Sequence, residues 1–304
     1  MKEFYSNGKL LLSGEFVVLD GATALAVPTK FGQSLQVEKL KEPLLHWKSI
    51  NHEGQTWFKA SYSLKNGILE TTSENEIKEV QKRLLNILTQ AAQLNPDVLS
   101  GSGFKVTAKL DFPQEWGLGS SSTLVNNIAN WFEIDAFELL SKTFGGSGYD
   151  IASAQNDTPV TYSLTPNGRT IFTADFDPAF ADELFFVHLN RKQNSRESIR
   201  HYKNQSKGKL KEAVDKISGL THQLISAETI TEYELLLEIH ETVISQVIDT
   251  PKIKTQLFRD YPRTIKSLGG WGGDFILATG KEKEKDYFRN KGYNTILDYR
   301  EMVL

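Results

Sequence analysis

The sequence predicts an α+β fold, with strands gathered in its first part and long helices in its second. Three observations carry that expectation. Up to about residue 64, short runs rich in branched and aromatic residues recur between Gly, Pro and Asn, which is the pattern of a strand meander. Residues 207–226 place Leu210, Val214, Ile217, Leu220 and Leu224 at helical steps, and residues 231–248 do the same with Leu235, Leu236, Ile239, Val243 and Val247. Helices and strands are segregated rather than strictly alternating, which argues against a doubly wound parallel sheet.

Taken in order, residues 3–20 read as two strands, with Leu10-Leu11-Leu12 and Phe16-Val17-Val18-Leu19 as buried runs punctuated by Gly8 and Gly14. Residues 24–27, 33–38, 46–49 and 56–64 continue the meander, and Trp47, Trp57, Phe58 and Tyr62 read as sheet packing. A helix over 76–94 follows from the spacing of Ile77, Val80, Leu84, Leu88 and Ala91, and Asn95-Pro96 stops it. A strand at 104–110 leads into the loop 113–123, and helices are expected to about residue 132 and over 136–144. Strands are expected at 159–164, 169–174 and 184–189. Beyond the two long helices come strands at 275–279 and 294–297, flanking a charged segment at 281–285. The run D-F-D-P at 175–178 suggests a boundary, giving domains 1–175 and 176–304.

Bulk properties narrow the function classes. The chain has 304 residues, 39% hydrophobic and 24% charged, ordinary for a folded protein with a real core. A net charge of −3 gives no broad basic field, so neither nucleic acid nor an anionic membrane is an expected partner. The lysines at 207, 209 and 211 read as a solvated helix face. There is no cysteine, which excludes disulfides, thiolate metal sites and a cysteine nucleophile, and the six histidines show no metal-ligand spacing. The N-terminal residues lack a signal-peptide flank and no apolar run approaches a membrane span, so a cytoplasmic location is expected.

The stretch with the most chemistry is P-Q-E-W-G-L-G-S-S-S-T at 113–123. Gly117 and Gly119 permit positive φ and close approach to bare peptide N–H groups. Ser120, Ser121 and Ser122 fall where a helix should begin, at its positive dipole end. Such a site suits an anion, above all a nucleotide phosphate. The plainer reading is a Gly-Ser loop that only caps the helix.

This string resembles the phosphate-binding motif of the GHMP kinases, the superfamily of galactokinase, homoserine kinase, mevalonate kinase and phosphomevalonate kinase. It is not a Walker loop, because no G-K-[S/T] follows the glycines. Three further stretches resemble that family in the same order. They are G-K-L-L-L-S-G-E-F-V-V-L-D-G at 8–21, G-G-S-G-Y-D-I-A-S-A at 145–154 and L-G-G-W-G-G-D-F-I-L at 268–277. The resemblance implies a two-domain fold: an N-terminal domain like ribosomal protein S5 domain 2, and a C-terminal ferredoxin-like α/β plait.

It also implies an ATP-dependent kinase with Mg²⁺. Gly117, Leu118, Gly119, Ser120, Ser121 and Ser122 would hold the ATP phosphates, and Ser121 would offer a hydroxyl to the metal. Its carboxylate ligand stays open, since Glu138 does not align cleanly. Asp150 matches the catalytic aspartate; read without the family it is an ordinary first-turn carboxylate. Lys9 matches the lysine beside that aspartate, where a cation would hold it ionised and neutralise the transferred group. Glu15 and the glycines Gly270, Gly272 and Gly273 fall to the acceptor side, although Trp271 interrupts the family's run of small residues. Lys192, Ser195 and Arg196 form a basic cluster suited to an anionic small-molecule acceptor, or simply a solvated helix start.

Within the superfamily, G-E-F-V-V-L, G-S-G-Y-D and a glycine run ending in Asp274 resemble phosphomevalonate kinase slightly more than mevalonate kinase. Two other readings stand beside the kinase: a lyase like diphosphomevalonate decarboxylase, and a silent binding protein of the same fold. A homodimer is left open.

Overall fold

The computed structural model describes residues 1–65, 67–72, 78–205, 208 and 210–304; the expectations that fell on Glu76, Ile77, Lys207 and Lys209 lie outside them. The chain packs as two compact units, neither of them one continuous stretch. Unit 1 is Met1–Gly8, Phe31–Gln114 and Leu118–Gln155, and unit 2 is Lys9–Lys30, Glu115–Gly117 and Asn156–Leu304. Two paired strands, β1 (Lys2–Ser13) and β2 (Ala24–Leu40), each contribute one end to either unit.

In unit 1 the sheet continues from β2 through β3 (Leu44–Ile50), β4 (Thr56–Lys65), β5 (Ile68–Thr71) and β6 (Gly103–Leu110), in the spatial order β5-β4-β3-β6-β2. The β3–β6 pair is parallel and the others are antiparallel. Strict alternation along β4 turns Ala60, Tyr62 and Leu64 inward. The outer part of the same strand leaves Trp57 44% exposed, so of the four aromatics read as packing only Trp47 and Tyr62 are fully buried. Four helices complete the unit: α1 (Glu79–Leu94), α2 (Ser120–Phe132), α3 (Ala136–Thr143) and α4 (Tyr149–Ala154). Leu84, Leu88 and Ala91 of α1 join Trp131 and Phe132 of α2 and Leu139 and Leu140 of α3 over the sheet residues Trp47, Tyr62 and Phe104. Leu84, Leu88 and Ala91 are thus buried as the spacing requires, whereas Val80, read onto the same face, is 42% exposed.

Unit 2 adds the hairpin β7 (Val160–Thr165) and β8 (Gly168–Thr173), which pairs with β2 from Ala24 to Ala26. Its second sheet runs β10 (Ile265–Ser267), β11 (Phe275–Thr279), β9 (Leu184–His188), β12 (Ile296–Asp298), all antiparallel. The helices are α5 (Ser195–Lys203), α6 (Leu210–Ser226), α7 (Ile230–Val247), α8 (Ile253–Leu257), α9 (Glu282–Asn290) and α10 (Tyr299–Met302). Phe185, Val187, Phe258, Ile276 and Phe288 form one core of this unit. The architecture is mixed α+β with two sheets, as expected from the segregated pattern.

Two local readings change. The run at 16–19 is not a strand: β1 ends at Ser13, Gly14 and Phe16 take positive φ of 94° and 64°, and residues Val17–Asp20 form a 3-10 turn. A Cβ on Gly14 would collide with Ala24, so the chain can turn this tightly only on glycine. The apolar residues still point inward, which is why a strand and a buried turn look alike in sequence. The charged segment at 281–285 opens helix α9, whose first turn is closed by the Glu284 carboxylate accepting from the Lys281 N–H at 2.8 Å.

Candidate active site

In unit 1 the anion-site expectation falls on the start of α2. Its N-cap is Gly119, in the left-handed conformation at φ 90°, and no side chain caps the first turn. The N–H groups of that turn thus have neither an intrahelical acceptor nor a capping side chain. The serines differ in what they present. Ser122 is 2% exposed and donates its hydroxyl to Gly119 O at 2.8 Å, so it stiffens the loop and leaves only its backbone for a ligand. Leu118 is wholly buried, so it too has only backbone to offer, while the Ser121 side chain lies outside.

A buried polar network holds this helix start in place. Thr123 donates to Gln33 Oε1 (2.9 Å), Asn127 donates to Gln33 O (2.8 Å), Ser6 donates to Asn127 Oδ1 (2.8 Å) and Asn126 donates to Ser6 Oγ (2.9 Å). Gln155 then donates to Asn126 Oδ1 at 2.9 Å, tying the end of α4 to α2. Asp150 stands in the first turn of α4, after Gly148 at φ 92°, and its Oδ1 accepts from the Ile151 N–H at 3.1 Å. Unit 1 therefore places the Gly-Ser loop and Asp150 on two neighbouring, cross-linked helices. A capless, dipole-positive helix start fits the phosphates of ATP. Among the described residues no group of three or more His, Asp or Glu side chains is arranged to hold a metal, and Mg²⁺ carried chiefly on phosphates needs only one or two protein oxygens.

Unit 2 gathers a second group of motif residues. Lys9 Nζ donates to Gly117 O at 3.1 Å. Gly117, at φ 69°, presents a bare Cα to the carboxylate of Asp274, where any Cβ would collide. The Asp274 N–H donates to Arg191 O (2.8 Å), its carbonyl accepts from Leu189 N (2.8 Å) and its Oδ1 accepts from Gln193 N (3.0 Å). Cβ atoms on Gly270 and Gly273 would likewise press on Gln193, so the glycine loop and the 191–196 loop lie directly against one another. Burial pushes the Asp274 carboxyl up, opposed by the Gln193 N–H and by Lys9, Lys192 and His188. Lys192, Ser195 and Arg196 are exposed at the start of α5, where Asn194 caps the helix by accepting from Arg196 N at 3.2 Å. Trp271 is 4% exposed and packs inward.

Glu15 sits elsewhere in unit 2, without solvent exposure. Its Oε1 accepts from Lys266 Nζ at 2.6 Å, and the same ammonium donates to Ser267 O (2.7 Å) and reaches Glu241 Oε1 (3.5 Å). Glu241 also accepts from Ser267 Oγ at 2.8 Å. His240 Nε2 accepts from the Gly14 N–H at 3.1 Å, so its 3.4 Å approach to Glu15 Oε2 is not an ion pair: burial and Lys266 hold the imidazole neutral, well below its usual range. Burial raises the Glu15 carboxyl despite Lys266, and for the same reason raises Glu241 to about 7. With Ser13 bonded to Thr221 (2.6 Å) and Thr23 N to Ser218 (2.9 Å), this cluster fastens the turn after β1 to α6, α7 and β10. Sequence reasoning missed Lys266, Glu241 and His240, since single polar residues in apolar runs carry no spacing signal. Asp274 had one, its place at the end of a glycine run.

The sequence matches no family model and no curated protein. Its likeness is to solved structures. The Methanococcus jannaschii mevalonate kinase aligns over 98% of this chain and 97% of its own, with TM-score 0.69 and 13% identity. The Streptococcus pneumoniae phosphomevalonate kinase, solved with phosphomevalonate and AMPPNP, aligns over 98% and 100%, with TM-score 0.69 and 15% identity. A mevalonate diphosphate decarboxylase from Legionella pneumophila aligns over 97% and 99%, with TM-score 0.57 and 12% identity. The chain therefore has the fold of the GHMP kinase superfamily. No helix among the described residues is long and apolar enough to cross a membrane.

Proposed function

We propose that the protein is an ATP-dependent phosphotransferase acting on a small anionic acceptor, with phosphomevalonate slightly preferred over mevalonate. The observation that carries this reading is the uncapped, glycine-led start of α2, cross-linked to the helix that bears Asp150. Helices α1, α4 and α8 also begin without a side-chain cap, so what singles out α2 is its open first turn combined with the Gly-Ser string. In this reading the first-turn N–H groups of α2 hold the ATP phosphates. Mg²⁺, carried on those phosphates with the Ser121 hydroxyl as a protein contact, supplies charge neutralisation. Asp150 orients the acceptor oxygen and takes its proton where it has one, and Lys9 offsets the charge of the transferred group. Lys192 and Arg196 receive the acceptor's anionic end. The sequence stretch 1–175 would carry the phosphate loop and Asp150, and 176–304 the acceptor loops.

The experiment is an ADP-release screen against mevalonate, phosphomevalonate, homoserine and sugars, with CO₂ measured in parallel. ADP formed with phosphomevalonate or mevalonate, and no CO₂, is the expected result. ADP accompanied by CO₂ from a diphosphorylated substrate would give the decarboxylase reading instead. No ADP with any acceptor, in protein that still binds ATP, would leave a binding protein of this fold.

A further inference from the structure

The apolar strand β9, L-F-F-V-H, ends on a histidine, and His188 is only 5% exposed. A buried imidazole has to place both ring nitrogens, and here each has a backbone partner. The Asn190 N–H donates to Nδ1 at 3.3 Å, and Nε2 lies 3.2 Å from Glu115 O. A peptide N–H can only donate and a carbonyl can only accept, so the ring carries a proton on Nε2 and uses Nδ1 as an acceptor. The first bond is local. It closes the turn in which Asn190 takes φ 55°, and Asn190 Nδ2 adds a bond to Gly292 O at 3.1 Å. The second reaches 73 residues upstream, into the lead-in to Gly117, and the turn does not need it.

The segment Glu115–Gly117 is gripped from several sides, all within unit 2. His188 holds the Glu115 carbonyl, and Lys9 Nζ donates to the Gly117 carbonyl at 3.1 Å. Between them the Trp116 ring meets Phe275 edge-on, with centroids 5.4 Å apart. Phe275 stands opposite His188 in the β9–β11 pair, and the two rings meet at 5.1 Å. We propose that His188 is a positioning residue for the nucleotide phosphates, acting through the Glu115 carbonyl to hold the peptides that lead into Gly117. The inference rests on the phosphotransferase reading above, which gave His188 no part. Bare peptide N–H groups bind an anion well only if they are oriented before it arrives, because a loop ordered on binding gives up affinity to that ordering. Gly117, at φ 69°, has the freest kind of backbone, so its orientation has to be imposed by what holds its neighbours.

Two polar replacements separate the two bonds. In His188→Gln the amide nitrogen falls where Nε2 stood and can still donate to Glu115 O. In His188→Asn the shorter amide falls where Nδ1 stood, keeps an acceptor for the Asn190 N–H and does not reach Glu115. Binding of AMPPNP with Mg²⁺ is measured by calorimetry on the intact protein, with a melting curve for each variant. His188→Asn should raise the Kd about tenfold, while His188→Gln should stay within about threefold of wild type. A histidine that served only the turn at 188–190 would give the reverse: His188→Asn would be tolerated and His188→Gln would be the harmful change. Wild-type affinity in folded His188→Asn overturns the inference. A loss of about tenfold or more in folded His188→Gln overturns it independently, so the test does not hang on one variant. Wild-type protein that fails to bind AMPPNP would overturn the nucleotide reading and this inference with it, whereas wild-type binding with either of the other two results overturns this inference alone.

Discussion

Lys266 Nζ lies 2.6 Å from Glu15 Oε1, and neither side chain has any solvent-exposed surface. Taking an ammonium and a carboxylate fully out of water costs several kcal/mol per ion, and their attraction repays this only when further hydrogen bonds complete the set. Here Ser267 O and Glu241 complete it for the lysine. The cluster lies at the turn that ends β1, the strand bearing Lys9.

Removing the cation should therefore be far worse than its apolar stem suggests. Lys266→Met fills similar space but leaves Glu15 and Glu241 facing each other without compensation. The expected loss is about 3–5 kcal/mol in urea unfolding. A loss below about 1 kcal/mol would mean that protonation of the two acids replaces the lysine entirely.

Stability should also depend on pH through Glu241, whose folded pKa is raised to about 7 from an ordinary 4.5. A carboxyl with a raised folded pKa is most stabilising when protonated, so its contribution is full below its unfolded pKa and disappears as pH climbs through about 7. Between about pH 6 and pH 8 this amounts to about 1 kcal/mol lost on going up. Glu241→Gln fixes the neutral form while leaving the Glu15–Lys266 pair intact. The variant should be at least as stable as wild type at about pH 8 and should lose most of the slope between the two pH values. Because Glu15 and Lys266 act on the same carboxyl, the slope lost in the variant belongs to the Glu241–Glu15–Lys266 cluster. An unchanged slope in the variant would assign the pH dependence to another residue.

Much of this was legible in the sequence, and the particular elements show why. Helices α1, α6 and α7 lie where three- and four-residue steps put them, because burial of one helical face is a local, periodic demand. Val80 of α1 and Leu235 of α7, both read onto the apolar face, are nonetheless 42% and 63% exposed. The Gly-Ser loop announced itself because positive φ and an uncapped helix start both restrict residue choice. The turn at 14–20 reads as a strand because buried apolar runs look alike whether the backbone is extended or coiled. Helix α9 gives no periodic signal, because its charged residues are stabilised by a first-turn cap and by a single buried ring, Phe288, rather than by an apolar stripe. Glu15 looks like a site residue from its motif, and its burial depends on Lys266, 251 residues away, a partner no local pattern can reveal.

The start of α2 offers a direct test of nucleotide binding. Gly119 has φ 90°, so a β-branched replacement there would strain the backbone by about 1–3 kcal/mol and confuse folding with binding. Gly119→Asn tolerates the left-handed region while placing a side chain before the first-turn N–H groups. The Kd for an ATP analogue should rise about tenfold or more, with the melting temperature little changed. Unaltered affinity in a folded Gly119→Asn protein would remove the phosphate role from this loop.

Asp150 carries the remaining prediction, and the acceptor's chemistry sets its size. The carboxylate stands in the first turn of α4 with Oδ1 bonded to Ile151 N, a bond an amide oxygen can also accept. Asp150→Asn therefore preserves the local structure and removes only charge and basicity. With a hydroxyl acceptor such as mevalonate, the transferred phosphoryl group meets an oxygen that must lose a proton, and general-base assistance is worth about 10²–10⁴-fold in rate. With phosphomevalonate the accepting phosphate oxygen is already ionised, so the carboxylate can only orient it, and the loss should be at or below the bottom of that range. In both cases kcat should fall while the KM values hold, as for an interaction made chiefly in the transition state. The ratio of the two losses thus reports which kind of oxygen the enzyme is built to use. Wild-type kcat with both acceptors would leave Asp150 as a carboxylate that merely suits the positive end of a short helix.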